Sequence, residues 1–222
     1  MEEKDFEIIY KNYWERFRIL DTQSINFPVI NWYPTEKELS PPEQLMFERM
    51  VKGPKILDVG AGDLNLKVKF EAQGVDLQYD TLDIGHEFKY DYTSIKDVKE
   101  KYSTILLIGV LEHLPLHMGL KYMTDILDLL DEKGTFIIQI PNARCIRNPL
   151  SWDMTHLHNY NGKDLAAYII SLGYKVCGNR VWMTTKKTSL LQKVKNLLSK
   201  YITTRFLGAD YADGIILFIT KS

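Results

Sequence analysis

The sequence predicts an α/β fold built on a doubly wound, mostly parallel sheet, and three observations carry that reading. A short apolar strand, Lys55–Val59, passes through Asp58 straight into Gly60 and Gly62. Strand-like and helix-like patterns then alternate down the chain, and Tyr102–Gly109 is too apolar to face water, as expected of a central parallel strand buried on both faces. The 222 residues are a number that one hydrophobic core routinely serves.

At the N-terminal end, Phe6, Ile9, Tyr10, Tyr13, Trp14, Phe17 and Leu20 recur every three or four positions, the stripe of one amphipathic helix. Such a helix either covers a sheet edge or acts as a lid over a substrate. An aromatic, proline-bearing loop with Phe27, Trp32 and Tyr33 follows. Ser40-Pro41-Pro42-Glu43 is a capping box with proline at the first helical position, so a helix is expected from Pro41 to about Val51. Residues 1–53 are thus expected to form a helical cap or lid, and residues 54–222 the main domain.

Beyond the strand at Lys55, Leu64–Gln73 reads as a helix closed by Gly74, and Leu77–Ile84 as the next strand. After the apolar strand come a helix over Leu116–Leu130, a strand over Gly134–Ile140, and a helix over Gly162–Leu172 capped by Asn161 and ended by Gly173. Tyr174–Met183 and Asp213–Thr220 are the last strands, joined through an insertion at 186–207. There Leu190, Leu191, Val194, Leu197, Leu198, Tyr201 and Ile202 fall at helical spacing among Lys186, Lys187, Lys193, Lys195, Lys200 and Arg205. This basic amphipathic helix either packs on its own domain or meets an anionic membrane surface, a lipid-linked acceptor or a partner subunit.

Composition narrows the function. Hydrophobic residues make up 45% and charged residues 26%, the proportions of an ordinary globule. A net charge of −1 gives no overall attraction to nucleic acid. The start Met-Glu-Glu-Lys-Asp has no apolar run behind it and no stretch approaches the length of a membrane span, so a cytoplasmic protein is expected. Cys145 and Cys177 stand far apart and outside any Cys-x-x-Cys pattern, which points to neither a disulfide framework nor a zinc site.

The glycine loop indicates the ligand. Without a Cβ, Gly60 and Gly62 let the chain turn sharply and let a ligand lie against bare backbone. A dinucleotide would call for a third glycine where Asn65 stands, and Asp58 at the strand end would repel a diphosphate while welcoming a cationic ammonium group. Asp58-Val59-Gly60-Ala61-Gly62 resembles the first motif of the class I S-adenosylmethionine-dependent methyltransferases, with Leu64 where a further glycine is often found. That resemblance covers about residues 54–221. It implies a Rossmann-like, seven-stranded sheet with an antiparallel edge strand, S-adenosylmethionine as cofactor, and the N-terminal helices as an addition.

At the carboxyl ends of parallel strands, where ligands lie, Asp83 closes the second strand of the domain and can accept hydrogen bonds from both ribose hydroxyls. Asp80 competes for that role but falls inside the strand. The resemblance places Asp91 near the adenine amino group and lets Gly109, Val110 and Leu111 line the cofactor. Gly109-Val110-Leu111-Glu112-His113-Leu114 is similar to the Val-Leu-Glu-His signature of small-molecule and ubiquinone-type methyltransferases, with Glu112 and His113 where substrate meets cofactor. The proline-rich signature of DNA amino-methyltransferases is absent from this position. Asp153-Met154-Thr155-His156 resembles the Asp-x-Thr-His element of enzymes that methylate sugars, quinone heads and related acceptors.

Methyl transfer needs an unprotonated acceptor atom held in line with the sulfonium methyl, and a neutral imidazole beside an acceptor hydroxyl serves that need. His156 is the first choice, with Asp153 orienting it or the substrate, and His113 or His158 the alternatives. The spacing of Asp153, His156 and His158 also admits a metal, although the expected site holds none. The reading is a methyltransferase acting on a small acceptor, most simply a hydroxyl of a sugar or glycan precursor. A non-catalytic cofactor- or partner-binding module and a dinucleotide-dependent oxidoreductase are the alternatives.

Overall fold

The computed structural model describes residues 3–50, 54–146, 148–184 and 190–222; the expected helix end at Val51 and the basic positions Lys186 and Lys187 lie outside the described residues. The strands are β1 (Val29–Trp32), β2 (Lys55–Val59), β3 (Gln78–Leu82), β4 (Tyr102–Ile108), β5 (Leu130–Pro141), β6 (Tyr174–Met183) and β7 (Gly214–Lys221). The helices are α1 (Glu3–Tyr10), α2 (Tyr13–Thr22), α3 (Pro41–Arg49), α4 (Asn65–Glu71), α5 (Leu116–Leu127), α6 (Gly162–Ser171) and α7 (Leu190–Arg205). All strands join one sheet in the order β1-β6-β7-β5-β4-β2-β3, the α/β, Rossmann-like arrangement the sequence implies.

The sheet forms because its central strands carry unbroken apolar runs, Ile105–Ile108 in β4 and Phe136–Ile138 in β5, that demand cover on both faces. In β4, Ile105 and Leu107 enter one core while Leu106 and Ile108 face the other; in β7, Ile215, Leu217 and Ile219 alternate with Ile216 and Phe218 in the same way. On the first face, Leu120, Met123, Ile126 and Leu127 of α5 and Leu165, Ala166 and Ile169 of α6 complete the packing. On the second, Met46 of α3 and Phe70 of α4 do so. The α3 start follows its capping box: the Glu43 carboxylate accepts the Ser40 amide at 2.6 Å, and the same carboxylate pairs at 3.1 Å with Lys69 of α4, which is 5% exposed.

β7 runs antiparallel to both β5 and β6, while β1, β6, β5, β4, β2 and β3 share one direction through parallel pairings and that double reversal. The antiparallel strand lies inside the sheet, because β1 extends the outer side of β6. The stretch read as an aromatic loop is therefore partly a strand. Four residues, Val-Ile-Asn-Trp, are too few to show a period, but they pair with the otherwise open edge of β6, where the Arg180 amide donates to Pro28 O at 2.8 Å and the Thr184 amide to Trp32 O at 2.7 Å.

The single helix expected over Phe6–Leu20 is two helices. Asn12 sits in the left-handed region at φ 55°, which asparagine tolerates better than most residues, and its side chain donates to Ser171 O at 2.9 Å. The break lets α2 lie along α6, with Arg16 paired to Asp164 at 3.0 Å. Trp14, on the stripe expected to be covered, is 80% exposed.

Candidate active site

The glycine loop leaves β2 with Gly60 at φ 79° and Gly62 at φ 50°, both in the region that favours glycine. The Gly60 amide donates to Leu82 O at 2.7 Å, tying the loop to the end of β3. A Cβ on Gly60 would fall 2.3 Å from the Val110 side chain, whereas one on Gly62 would meet nothing closer than Gly60 O at 4.0 Å. Gly60 is thus fixed by packing, and Gly62 leaves open the approach that a ligand needs. Leu64 takes φ 61° ahead of α4, so the position often held by glycine keeps its left-handed backbone here at some steric cost.

Asp58 lies beneath this loop, 3% exposed, and accepts the Tyr79 hydroxyl at 2.8 Å. Burial pushes its carboxyl up to about 6, the Asp83 charge adds to the rise, and the Tyr79 hydrogen bond and Lys67 oppose it. Asp83 stands just past β3, with one oxygen accepting the Gly62 amide at 2.9 Å and the other the Gly85 amide at 2.8 Å. Asp80, the competitor, accepts the Tyr102 hydroxyl at 2.7 Å within the sheet. Asp91 is turned to Thr81, taking both its amide and its hydroxyl at 2.8 Å on one oxygen. A residue not singled out in the sequence, Tyr90, spans the loop by donating its hydroxyl to Gly62 O at 2.7 Å.

Beyond β4 the chain makes a short 3-10 turn over Leu111–His113. Val110 packs on the glycine loop, while the Leu111 side chain belongs to the core at 1% exposure, so only its backbone can line a cofactor. The loop before α6 is held on this turn because the Leu157 and His158 amides both donate to Glu112 O, at 2.7 and 3.1 Å. That contact carries His156 to His113, with ring centroids 4.8 Å apart. Glu112 is 4% exposed, its Oε2 has no hydrogen-bond partner, and burial raises its carboxyl above the usual range.

Thr155 ties this loop together. Its hydroxyl has one hydrogen, which goes to Asp153 Oδ1 at 2.6 Å, so the 2.8 Å contact with His113 Nδ1 is an N–H donated by the ring. His156 Nδ1 lies 2.8 Å from Pro149 O, which can only accept. Both rings thereby carry a hydrogen on Nδ1, so that a neutral ring has its lone pair on Nε2. Asp153 orients His113 through Thr155, and His156 is oriented by a backbone carbonyl, a pairing different from the expected one. His158 stacks edge-on against Tyr160 at 4.6 Å, and burial lowers its pKa. At the same end of the sheet a cavity of about 150 Å³ opens between Asn142, Arg144, Lys163, Arg180 and Asp210.

The sequence matches the profile of a family described as a methyltransferase domain over residues 34–177, well over half the chain. Among solved structures it is similar to a SAM-dependent methyltransferase from Archaeoglobus fulgidus, with 16% identity and a TM-score of 0.55 over 81% of this chain and 94% of that one. The magnesium protoporphyrin IX methyltransferase of Synechocystis PCC 6803 with bound SAM is 14% identical, TM-score 0.52, covering 100% of this chain and 98% of that one. The 1,6-didemethyltoxoflavin-N1-methyltransferase of Burkholderia thailandensis, with 1,6-didemethyltoxoflavin and S-adenosylhomocysteine bound, is 13% identical, TM-score 0.54, over 82% and 77%. No curated protein matches the chain in sequence.

Proposed function

The chain belongs to the methyltransferase-domain family, and from that premise we propose that it transfers the methyl of S-adenosylmethionine to a small-molecule acceptor, a hydroxyl of a sugar or glycan precursor being the favoured target. The observation that carries this is the meeting at Val110 of two half-sites. On one side lie the glycine loop and Asp83, on the other the Glu112, His113 and His156 cluster. The cofactor lies against Gly60 and Gly62, Asp83 meets the ribose hydroxyls, Asp91, with one oxygen held by Thr81, keeps its other oxygen for the adenine amino group, Asp58 favours the ammonium from below, and Val110 and the Leu111 backbone flank the methionine end.

In the reaction an acceptor oxygen lone pair attacks the methyl carbon, the carbon–sulfur bond breaks to leave S-adenosylhomocysteine, and the acceptor proton is released. The protein's part is alignment, which alone supplies a large share of the rate, together with activation of the hydroxyl at the His113 and His156 rings. Asp153 holds His113 in place through Thr155. In the cavity at the same end of the sheet Arg180 is paired with Asp210, and the cations that remain, Arg144 and Lys163, support an acceptor that carries an anionic group. Among the described residues no helix is long and apolar enough to cross a membrane, and a cytoplasmic location belongs to the same proposal.

Calorimetry with S-adenosylhomocysteine, followed by labelled methyl transfer to a panel of sugars, sugar phosphates and phenols, tests this directly. Binding with turnover on a hydroxyl supports the reading. Binding without turnover on any acceptor favours a cofactor-binding module, and binding of a nicotinamide dinucleotide in its place would remove the methyltransferase reading.

A further inference from the structure

We propose that Glu112, His113 and His156 bind one divalent transition-metal ion, and that this ion presents an open position to the acceptor hydroxyl. The second half of that statement rests on the function proposed above; the first does not.

A carboxylate oxygen and one ring nitrogen from each histidine lie within 4.8 Å of one another. Three ligands on one ion at ordinary bond lengths lie about 4 Å apart or less, so closing on a cation takes only a small rotation of side chains. With Nδ1 donating in both rings, the acceptor that each neutral ring can offer is Nε2. Glu112 Oε2, buried and without a donor, is a third. A buried carboxylate oxygen without a partner, beside two ring nitrogens, is what a cation would satisfy.

The surroundings match those of metal-ligating histidines, which donate their other N–H to a carbonyl or toward a carboxylate. His156 donates to Pro149 O, and His113 donates through Thr155 to Asp153. Two imidazoles and one carboxylate suit zinc, manganese or cobalt better than calcium or magnesium, which prefer all-oxygen sites. Three protein ligands leave coordination positions open, the mark of a reactive site. An acceptor oxygen bound there would lose its proton to solvent more easily, then attack the methyl as the carbon–sulfur bond breaks. His156 would hold the ion and leave the proton to water.

The test uses the whole chain, stripped with chelator and titrated with Co²⁺, read by visible absorption and by calorimetry, and repeated with Zn²⁺ and Mn²⁺. One equivalent is expected to bind, with Glu112→Gln and His156→Asn each weakening it by tenfold or more. Thr155→Val, at an exposed position with no part in the core, is expected to weaken it several-fold through His113 alone. S-adenosylhomocysteine affinity, measured on every variant, verifies the fold and the cofactor site separately. Absence of stoichiometric binding to a chain that binds S-adenosylhomocysteine overturns the metal site, as does an affinity that Glu112→Gln and Thr155→Val leave unchanged. Metal binding without S-adenosylhomocysteine binding upholds the ion and removes the methyltransferase role.

Discussion

At the scale of single residues, the local geometry of the glycine loop and of the strand end beside it was readable because it depends on neighbours in sequence. Gly60, Gly62 and Asp83 stand where a strand end and a tight turn put them. The acceptor side was less readable, since Thr155 and His113 are 42 positions apart and meet only because loop amides bind Glu112 O. Two predictions belong here. Asp83→Ala removes an acceptor of two backbone amides and, by proposal, of two ribose hydroxyls. At about 1 kcal/mol per bond, more for a charged acceptor, S-adenosylhomocysteine affinity should fall by about thirtyfold or more in a chain that still melts cooperatively. Unchanged affinity in calorimetry would move the ribose contact elsewhere. Gly60→Ala should destabilise the fold by about 2 kcal/mol or more, from a left-handed φ and the clash with Val110. Adding Val110→Ala removes only the clash, so urea melts of the double variant should recover part of the loss; no recovery would mean the backbone angle carries all of it.

At the scale of elements, the long periodic helices and apolar strands were found within a few residues of their observed ends, and the failures have physical causes. β1 was too short to show a period and exists because β6 offers an edge. The N-terminal stripe was continuous in sequence, yet one left-handed asparagine divides it. The basic insertion does form a helix, α7, but of its described side chains Thr203 is the buried one, while Val194, Leu197, Leu198, Tyr201 and Ile202 are about half exposed or more, with Phe206 and Leu207 continuing the surface. The sequence leaves self-packing and surface contact both open for this helix, and the exposure of these side chains makes the membrane-surface alternative the one to test. The full chain is therefore expected to sediment with vesicles containing anionic lipid and not with neutral ones. Leu197→Glu with Leu198→Glu should abolish that sedimentation without lowering the melting temperature, because neither side chain is buried. Sedimentation that persists in the double variant would place the contact outside α7.

At the scale of the whole molecule, the central place of β4 follows from its being apolar on both faces, a property written in the sequence, while the ionisation of Asp58 follows from depth beneath the glycine loop, which is not. Its carboxyl is pushed from 3.8 to about 6, chiefly by burial. The sign follows from proton counts: between about pH 4 and 6 the folded chain keeps a proton that the unfolded chain has released, so stability conferred by the neutral acid is present below pH 4 and is lost as pH rises through 6. The total is about 3 kcal/mol, by the usual conversion of a two-unit shift. Asp58→Asn keeps an oxygen for the Tyr79 hydroxyl but cannot ionise, so the unliganded variant should be the more stable of the two above pH 6 and nearly equal to the parent at pH 4. A cationic ammonium above Asp58 would reverse the balance in the parent alone. Stabilisation by S-adenosylhomocysteine, which carries that ammonium, should therefore grow from pH 5 to 7 in the parent and stay flat in Asp58→Asn. Thermal melts of both chains across pH 4 to 8, with and without the ligand, read all four curves. Parallel pH slopes for parent and variant would show that Asp58 does not ionise in this range, and the ammonium would then have to be held by another group.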